Sequence, residues 1–132
     1  MTFDIGHGKG SFVFPVVRTM LDMGFAPEVI SSDVHMLSTD GSAIDLAATM
    51  SKLLCLGLPL DEVVRATTAT SAVALGRPEI ETLAVGDPGD ATVFKIEGGA
   101  FDYEDAPGEH MLGDRRIKPR KPVIGGCVWH DA

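Results

Sequence analysis

The chain has 132 residues, a formal charge of −8 and an apolar fraction of 45%, with a single Trp and a single Tyr. That is one domain's worth of chain, or a piece of a larger one. The acidic balance leaves no basic stripe to meet phosphates, which argues against a nucleic-acid partner, and no run is long enough to span a membrane.

The N-terminus lacks a basic stretch followed by an apolar core, so it does not read as a signal peptide. Cys55 and Cys127 have no local Cys or His at zinc-finger spacing. Both are expected to be buried reduced thiols, and a cytoplasmic location follows as the default.

In chain order, Met1–Ile5 reads as the end of a strand broken by Gly6 and Gly8. Ser11 is the expected N-cap of a helix with Phe12, Val16, Val17, Met20 and Leu21 on one face. Pro15 is tolerable in or beside its first turn, and Gly24 ends it. Glu28–Ser31 is the next short strand. The unit of about thirty residues has the size of a right-handed βαβ crossover.

Ser42 with Asp45 resembles a capping box, opening a helix to about Leu56 that Gly57 and Pro59 stop. Asp61 is expected to cap a short helix through Arg65, and another covers Ser71–Leu75. The chain then changes period. Residues 1–76 form the βα part and residues 77–132 a small β module. Ala91–Ile96, Ile117 and Pro122–Val128 suggest strands, and the acidic stretch Asp102–Glu109 a surface loop. The basic cluster Arg115–Lys121 can form a phosphate patch, but reads first as a solvated strand edge or loop beside acidic neighbours.

Two short motifs carry the chemistry. Asp-Ile-Gly-His-Gly at 4–8 and Ser-Ser-Asp-Val-His at 31–35 each follow a strand-like run. His7 and Asp33 therefore fall at equivalent ends of two neighbouring parallel strands, where α/β enzymes place substrate-contacting groups. Strands about 5 Å apart allow both to share one ligand. Asp33 can bind a divalent metal and accept a proton from its water, or it can simply form an Asx-turn or cap. His7 can bind metal, donate to a polarised carbonyl, or be a loop residue satisfied by backbone. Lys9 faces solvent or covers a substrate carboxylate. His35 reads as a packed neighbour, His110 and His130 as surface residues, and Met20, Met23, Met36 and Met50 as core filler.

Phe-Asp-Ile-Gly-His-Gly-Lys-Gly-Ser-Phe at 3–12 resembles the seventh strand and loop of amidohydrolase-superfamily metal-dependent hydrolases, in the dihydroorotase-like amidohydrolase/deacetylase group. Ile-Ser-Ser-Asp-Val-His at 30–35 resembles their eighth strand, and Asp-Leu-Ala-Ala-Thr-Met-Ser-Lys at 45–52 the following helix. Thr82–Phe94 and Val123–Val128 are similar to the return into, and the closing strand of, their β-sandwich domain. Thr70-Ser71 departs from the family's frequent Asn-Pro.

The resemblance implies an α/β fold: the last two βα units of a (β/α)8 barrel, followed by a β-sandwich segment. It implies Asp33 as metal ligand and general base, and His7, Gly8 and Lys9 on the substrate side. The implied chemistry is hydrolysis of amide, cyclic amide or related acyl bonds of a small molecule, with a divalent metal, commonly zinc. The family's His-x-His, its bridging carboxylated lysine or glutamate and two further histidine ligands have no counterpart here. The chain is then expected to be the C-terminal third of such an enzyme, inactive alone, associating with the missing barrel portion or with itself. Two other readings stand beside this one. In the first, the chain is a catalytically inactive, self-associating binding module. In the second, His7, His35 and Asp33 from several copies share a metal.

Overall fold

The computed structural model describes residues 1–8, 10–33 and 45–130. A short strand, β1 (Asp4–Gly6), leads through α1 (Phe14–Asp22) to β2 (Val29–Ser31). The two strands pair in parallel, with Asp4 opposite Val29, Ile5 opposite Ile30 and Gly6 opposite Ser31. This is the expected βαβ unit, and two parallel strands do not close a barrel.

The start of α1 departs from the sequence reading. Its N-cap is Val13, which offers no side-chain acceptor, and Pro15 occupies the first turn. The Asp105 carboxylate accepts from Phe14 N at 3.0 Å, so a residue far along the chain caps this helix. Ser11 is instead used in the preceding loop. The buried face of α1 is Phe14 and Val17, whereas Val16 is 56% exposed. Met23 sits past the helix end and is exposed, not core filler. Gly24, at φ 81°, reverses the chain as expected.

Three helices follow: α2 (Leu46–Cys55), α3 (Leu60–Thr67) and α4 (Ala69–Ala74). Asp45 itself caps α2, its Oδ1 accepting from Ala48 N at 2.7 Å. Ser42 and Met36 lie outside the described residues. Helix α3 starts two residues earlier than an Asp61 cap would allow, because Pro59 fills the cap position. Asp61 and Glu62 then lie in the first turn, where a carboxylate favours the positive end of the helix dipole. Helix α4 starts at Ala69, two residues before the expected Ser71.

A 3-10 turn at Pro78–Ile80 precedes the largest correction. The β module is a long hairpin, β3 (Ala91–Glu104) and β4 (His110–Ile124), closed by the short β5 (Cys127–Val128) in an antiparallel sheet of order β3-β4-β5. Asp102–Glu109 is therefore not one surface loop. Asp102–Glu104 complete β3, and Asp105 is buried at the hairpin turn, where its Oδ1 accepts from Gly108 N and Glu109 N. The basic cluster lies on β4 beside an acidic neighbour, as expected. Arg116 pairs with Glu97 at 2.7 Å and Lys118 lies 3.8 Å from the same carboxylate.

One core joins these elements. Ile5, Phe12, Phe14, Val17 and Ile30 pack with Met50, Leu53, Leu54 and Val63, and with Tyr103 and Ile117 from the hairpin. Each fully buried aliphatic or aromatic side chain contributes about 1.5–3 kcal/mol. Ser51 of α2 accepts from Ile117 N at 2.9 Å, which locks β4 onto that helix. Both cysteines are free, but Cys127 is exposed and Cys55 half-buried, so neither is the fully buried thiol expected. No helix among the described residues is long and apolar enough to cross a membrane.

Candidate functional site at the strand ends

His7 and Asp33 each follow the carboxyl end of a strand of the parallel pair, β1 and β2. The Asp33 side chain meets Gly6 and Gly8, and the His7 ring meets Phe12 and Lys52. His7 N donates to Ser32 O at 3.2 Å, extending the parallel ladder one step beyond the strands. Gly8 N donates to Ser11 Oγ at 2.8 Å and Ser11 Oγ donates to Gly6 O at 3.1 Å. Ser11 thus closes the Gly-His-Gly loop in place of capping α1.

The glycines are there for Asp33. A Cβ at Gly6 would lie 2.7 Å from Asp33 Cβ, and one at Gly8 would lie 2.5 Å from Asp33 Oδ2. Any larger residue would push the carboxylate away. Asp33 has φ 47°, which aspartate tolerates better than most residues. Its side chain is exposed and makes no hydrogen bond or ion pair among the described residues. Such a conformation, held by the closely packed loop, is the kind of local strain that functional sites retain.

His7 is not a loop histidine satisfied by backbone. It is fully buried, and its ring stacks on Phe12 at 4.6 Å with planes 3° apart. Its Nε2 lies 2.7 Å from Lys52 Nζ, and that ammonium also donates to Glu104 O at 2.6 Å. Burial, and after it the charge of Lys52, lower the His7 pKa to about 4, against the opposing pull of the His7 and Gly8 carbonyls and Asp105. Burial likewise lowers Lys52 to about 8, opposed by Asp105 and Glu104. At neutral pH the pair is therefore a neutral imidazole beside an ammonium. His7 Nδ1 is buried with no hydrogen-bond partner among the described residues.

Lys52, Phe12, Ser11 and Asp105 are the members of this network that the sequence reading missed. One signal was available for Lys52. It is the only charged residue in Leu46–Cys55, a helix apolar enough to be buried on most sides. Lys9 and His35 lie outside the described residues. His110 is on the surface as expected, its Nδ1 2.9 Å from Asp102.

A metal asks for more than this. Among the described residues no three His, Cys, Asp or Glu side chains are grouped to hold an ion, and a catalytic zinc commonly uses three protein ligands. The described residues alone do not fit a metal site. Asp33 can offer one carboxylate ligand.

No family model matches the chain. A deacetylase from Brucella anthropi is 36% identical over 122 residues, 92% of this chain and 30% of that protein. A deacetylase from Enterococcus faecalis is 33% identical over 130 residues, 98% of this chain and 35% of that protein. Among solved structures, an adenine deaminase matches with a TM-score of 0.94 at 32% identity, over 99% of this chain and 36% of that one. A dihydroorotase matches with a TM-score of 0.89 at 38% identity, over 96% of this chain and 34% of that one.

The chain is thus a mixed α/β segment that matches a portion of amidohydrolase structures. It is a partial homologue of amidohydrolase-family deacetylases, an adenine deaminase and a dihydroorotase, and it spans about one third of the length of each.

Proposed function

We propose that the chain supplies the last two βα units, residues 1–76, and a β-sandwich segment, residues 77–132, of a metal-dependent amidohydrolase. The observation that carries this reading is that His7 and Asp33 each follow the carboxyl end of a strand of a parallel pair, with the Asp33 carboxylate seated against Gly6 and Gly8. In this reading the rest of the barrel supplies the other ligands of a divalent metal, zinc by preference, and Asp33 adds one. Asp33 also takes the proton of the attacking water, and its exposed carboxylate, without a partner among the described residues, suits both roles. His7 stays neutral through the physiological range and serves the substrate side, a role that Gly8 and Lys9 share in this reading.

The bond broken is an amide, cyclic amide or related acyl bond of a small molecule, in line with the deacetylase and dihydroorotase relatives. Association also belongs to this reading. Leu83, Val85, Ile124, Val128 and Trp129 are exposed apolar side chains in the second half of the chain. Exposed apolar groups in such number suit a surface that another polypeptide covers.

The test is reconstitution with a polypeptide carrying the remaining strands of a related deacetylase. The expected result is a discrete complex that hydrolyses an N-acetyl or cyclic amide substrate, while the chain alone does not. A discrete homo-oligomer that ignores the complement and stays inactive would favour a binding module instead.

A further inference from the structure

Lys52 is a charged side chain only 1% exposed, and the hydrolytic reading above gives it no task. Burying an ammonium costs several kcal/mol unless it is well paired, and a Met or Leu on α2 would fill the same space at no such cost. Two contacts of the ammonium indicate one thing that the charge does. Nζ lies 2.6 Å from Glu104 O, an atom that can only accept. It lies 2.7 Å from His7 Nε2 as well. An ammonium has donors and no lone pair, so Nε2 must present its lone pair to Lys52. A neutral imidazole then carries its proton on Nδ1. Phe12, stacked nearly parallel to the ring, holds the ring plane. Nδ1 is the ring atom left without a partner among the described residues, although it is buried.

We propose that Lys52 is a positioning residue that locks His7 in the Nδ1–H tautomer, leaving Nδ1–H as a hydrogen-bond donor for an acceptor oxygen of the substrate, a carbonyl or carboxylate. Phe12 and the Glu104 carbonyl complete the device, one by stacking on the ring and one by anchoring the ammonium. The inference deepens the assignment of His7 to the substrate side and rests on it.

The tautomer is read directly by long-range nitrogen–proton NMR on the 132-residue chain with 15N-labelled histidine at neutral pH. The chain has 4 histidines, and His7→Gln identifies the signal that belongs to His7. The expected spectrum has a protonated Nδ1 and an unprotonated Nε2. In Lys52→Met, with the fold checked by circular dichroism, the Nε2–H form should become at least half of the population. Lys52→Arg should restore the wild-type pattern. A wild-type spectrum with the proton on Nε2 overturns the proposal, as does a folded Lys52→Met that keeps Nδ1–H alone. Where Lys52→Met does not fold, the wild-type and Lys52→Arg spectra decide. The measurement needs no substrate and no partner, so its failure removes the role of Lys52 and leaves the hydrolase reading standing. An inactive reconstituted complex with the Nδ1–H signal intact does the reverse.

Discussion

The β1–β2 strand ends and the β3–β4 hairpin both reach the His7 network, but they are joined to it by different kinds of contact. At the strand ends the contacts are local or follow strand register: Gly8 with Ser11, His7 with Ser32, and Gly6 and Gly8 against Asp33. From the hairpin, Asp105 caps Phe14 across 91 positions, and the Glu104 carbonyl meets Lys52 across 52. The strand ends decide which groups are presented, and the hairpin decides how firmly they are held. Changes in the hairpin should therefore cost fold stability, whereas changes in the Gly-His-Gly loop should displace the Asp33 carboxylate at smaller cost.

The largest effect is expected at the hairpin turn. Asp105→Ala removes the side-chain acceptor of Phe14 N, Gly108 N and Glu109 N and leaves the buried Phe14 N unmet. Urea denaturation should show a loss of about 3–5 kcal/mol. A loss under about 1 kcal/mol would make the hairpin an appendage and end the comparison.

Acid should act next, through the site itself. The folded chain holds His7 neutral with a pKa of about 4 against an ordinary 6.5, so between those values the unfolded chain binds the additional proton. This contribution is intact above about pH 7 and is lost as pH falls through 4, on the order of 3 kcal/mol in all. Lys52 has the same sign at higher pH, its pKa of about 8 against 10.5 making stability rise with pH across that interval. Urea midpoints for wild type and His7→Gln should diverge near neutrality and converge in acid. Parallel curves would contradict the buried neutral imidazole.

Gly8→Ala sharpens the contrast from the other side. Its Cβ would come within 2.5 Å of Asp33 Oδ2, at a cost of about 1–3 kcal/mol. The carboxylate, not the core, should yield, so backbone amide shifts should concentrate at residues 6–8 and 31–33. Shifts spread through α2 and β4 would show that the strand ends and the core are not separable in this way.

The smallest effect concerns the thiols. Cys127 is exposed, while Cys55 is half-buried with its Sγ 3.2 Å from Arg115 O. A maleimide should modify Cys127 at least tenfold faster, with no change in unfolding midpoint.

The strand ends were legible in the sequence because their logic is local. A strand-like run followed by Gly-His-Gly, and a second followed by Ser-Ser-Asp, places His7 and Asp33 whatever the rest of the chain does. The hairpin was not legible in the same way. Its strands alternate poorly, with Tyr103 buried but Val93 and Leu112 exposed, so Asp102–Glu109 read as acidic loop. Asp105 gave no signal because its partner is the start of a helix 91 positions away. Ser11 looked like a cap because serine before a helix often is one, and the loop claimed its hydroxyl first. Lys52 was only half legible, as the one charge on an otherwise apolar helix. A single lysine on a helix normally faces solvent, and only the tertiary placement of His7 and Glu104 makes it an interior donor.

The central claim, that Asp33 at the end of β2 serves as the proton-accepting carboxylate of an amidohydrolase-type site, is tested most directly by turnover of the reconstituted complex carrying Asp33→Asn. Asparagine keeps the shape against Gly6 and Gly8 but cannot take a proton, so kcat should fall by about 10²–10⁴ with the complex still assembled. Full turnover from Asp33→Asn in an intact complex would contradict the account.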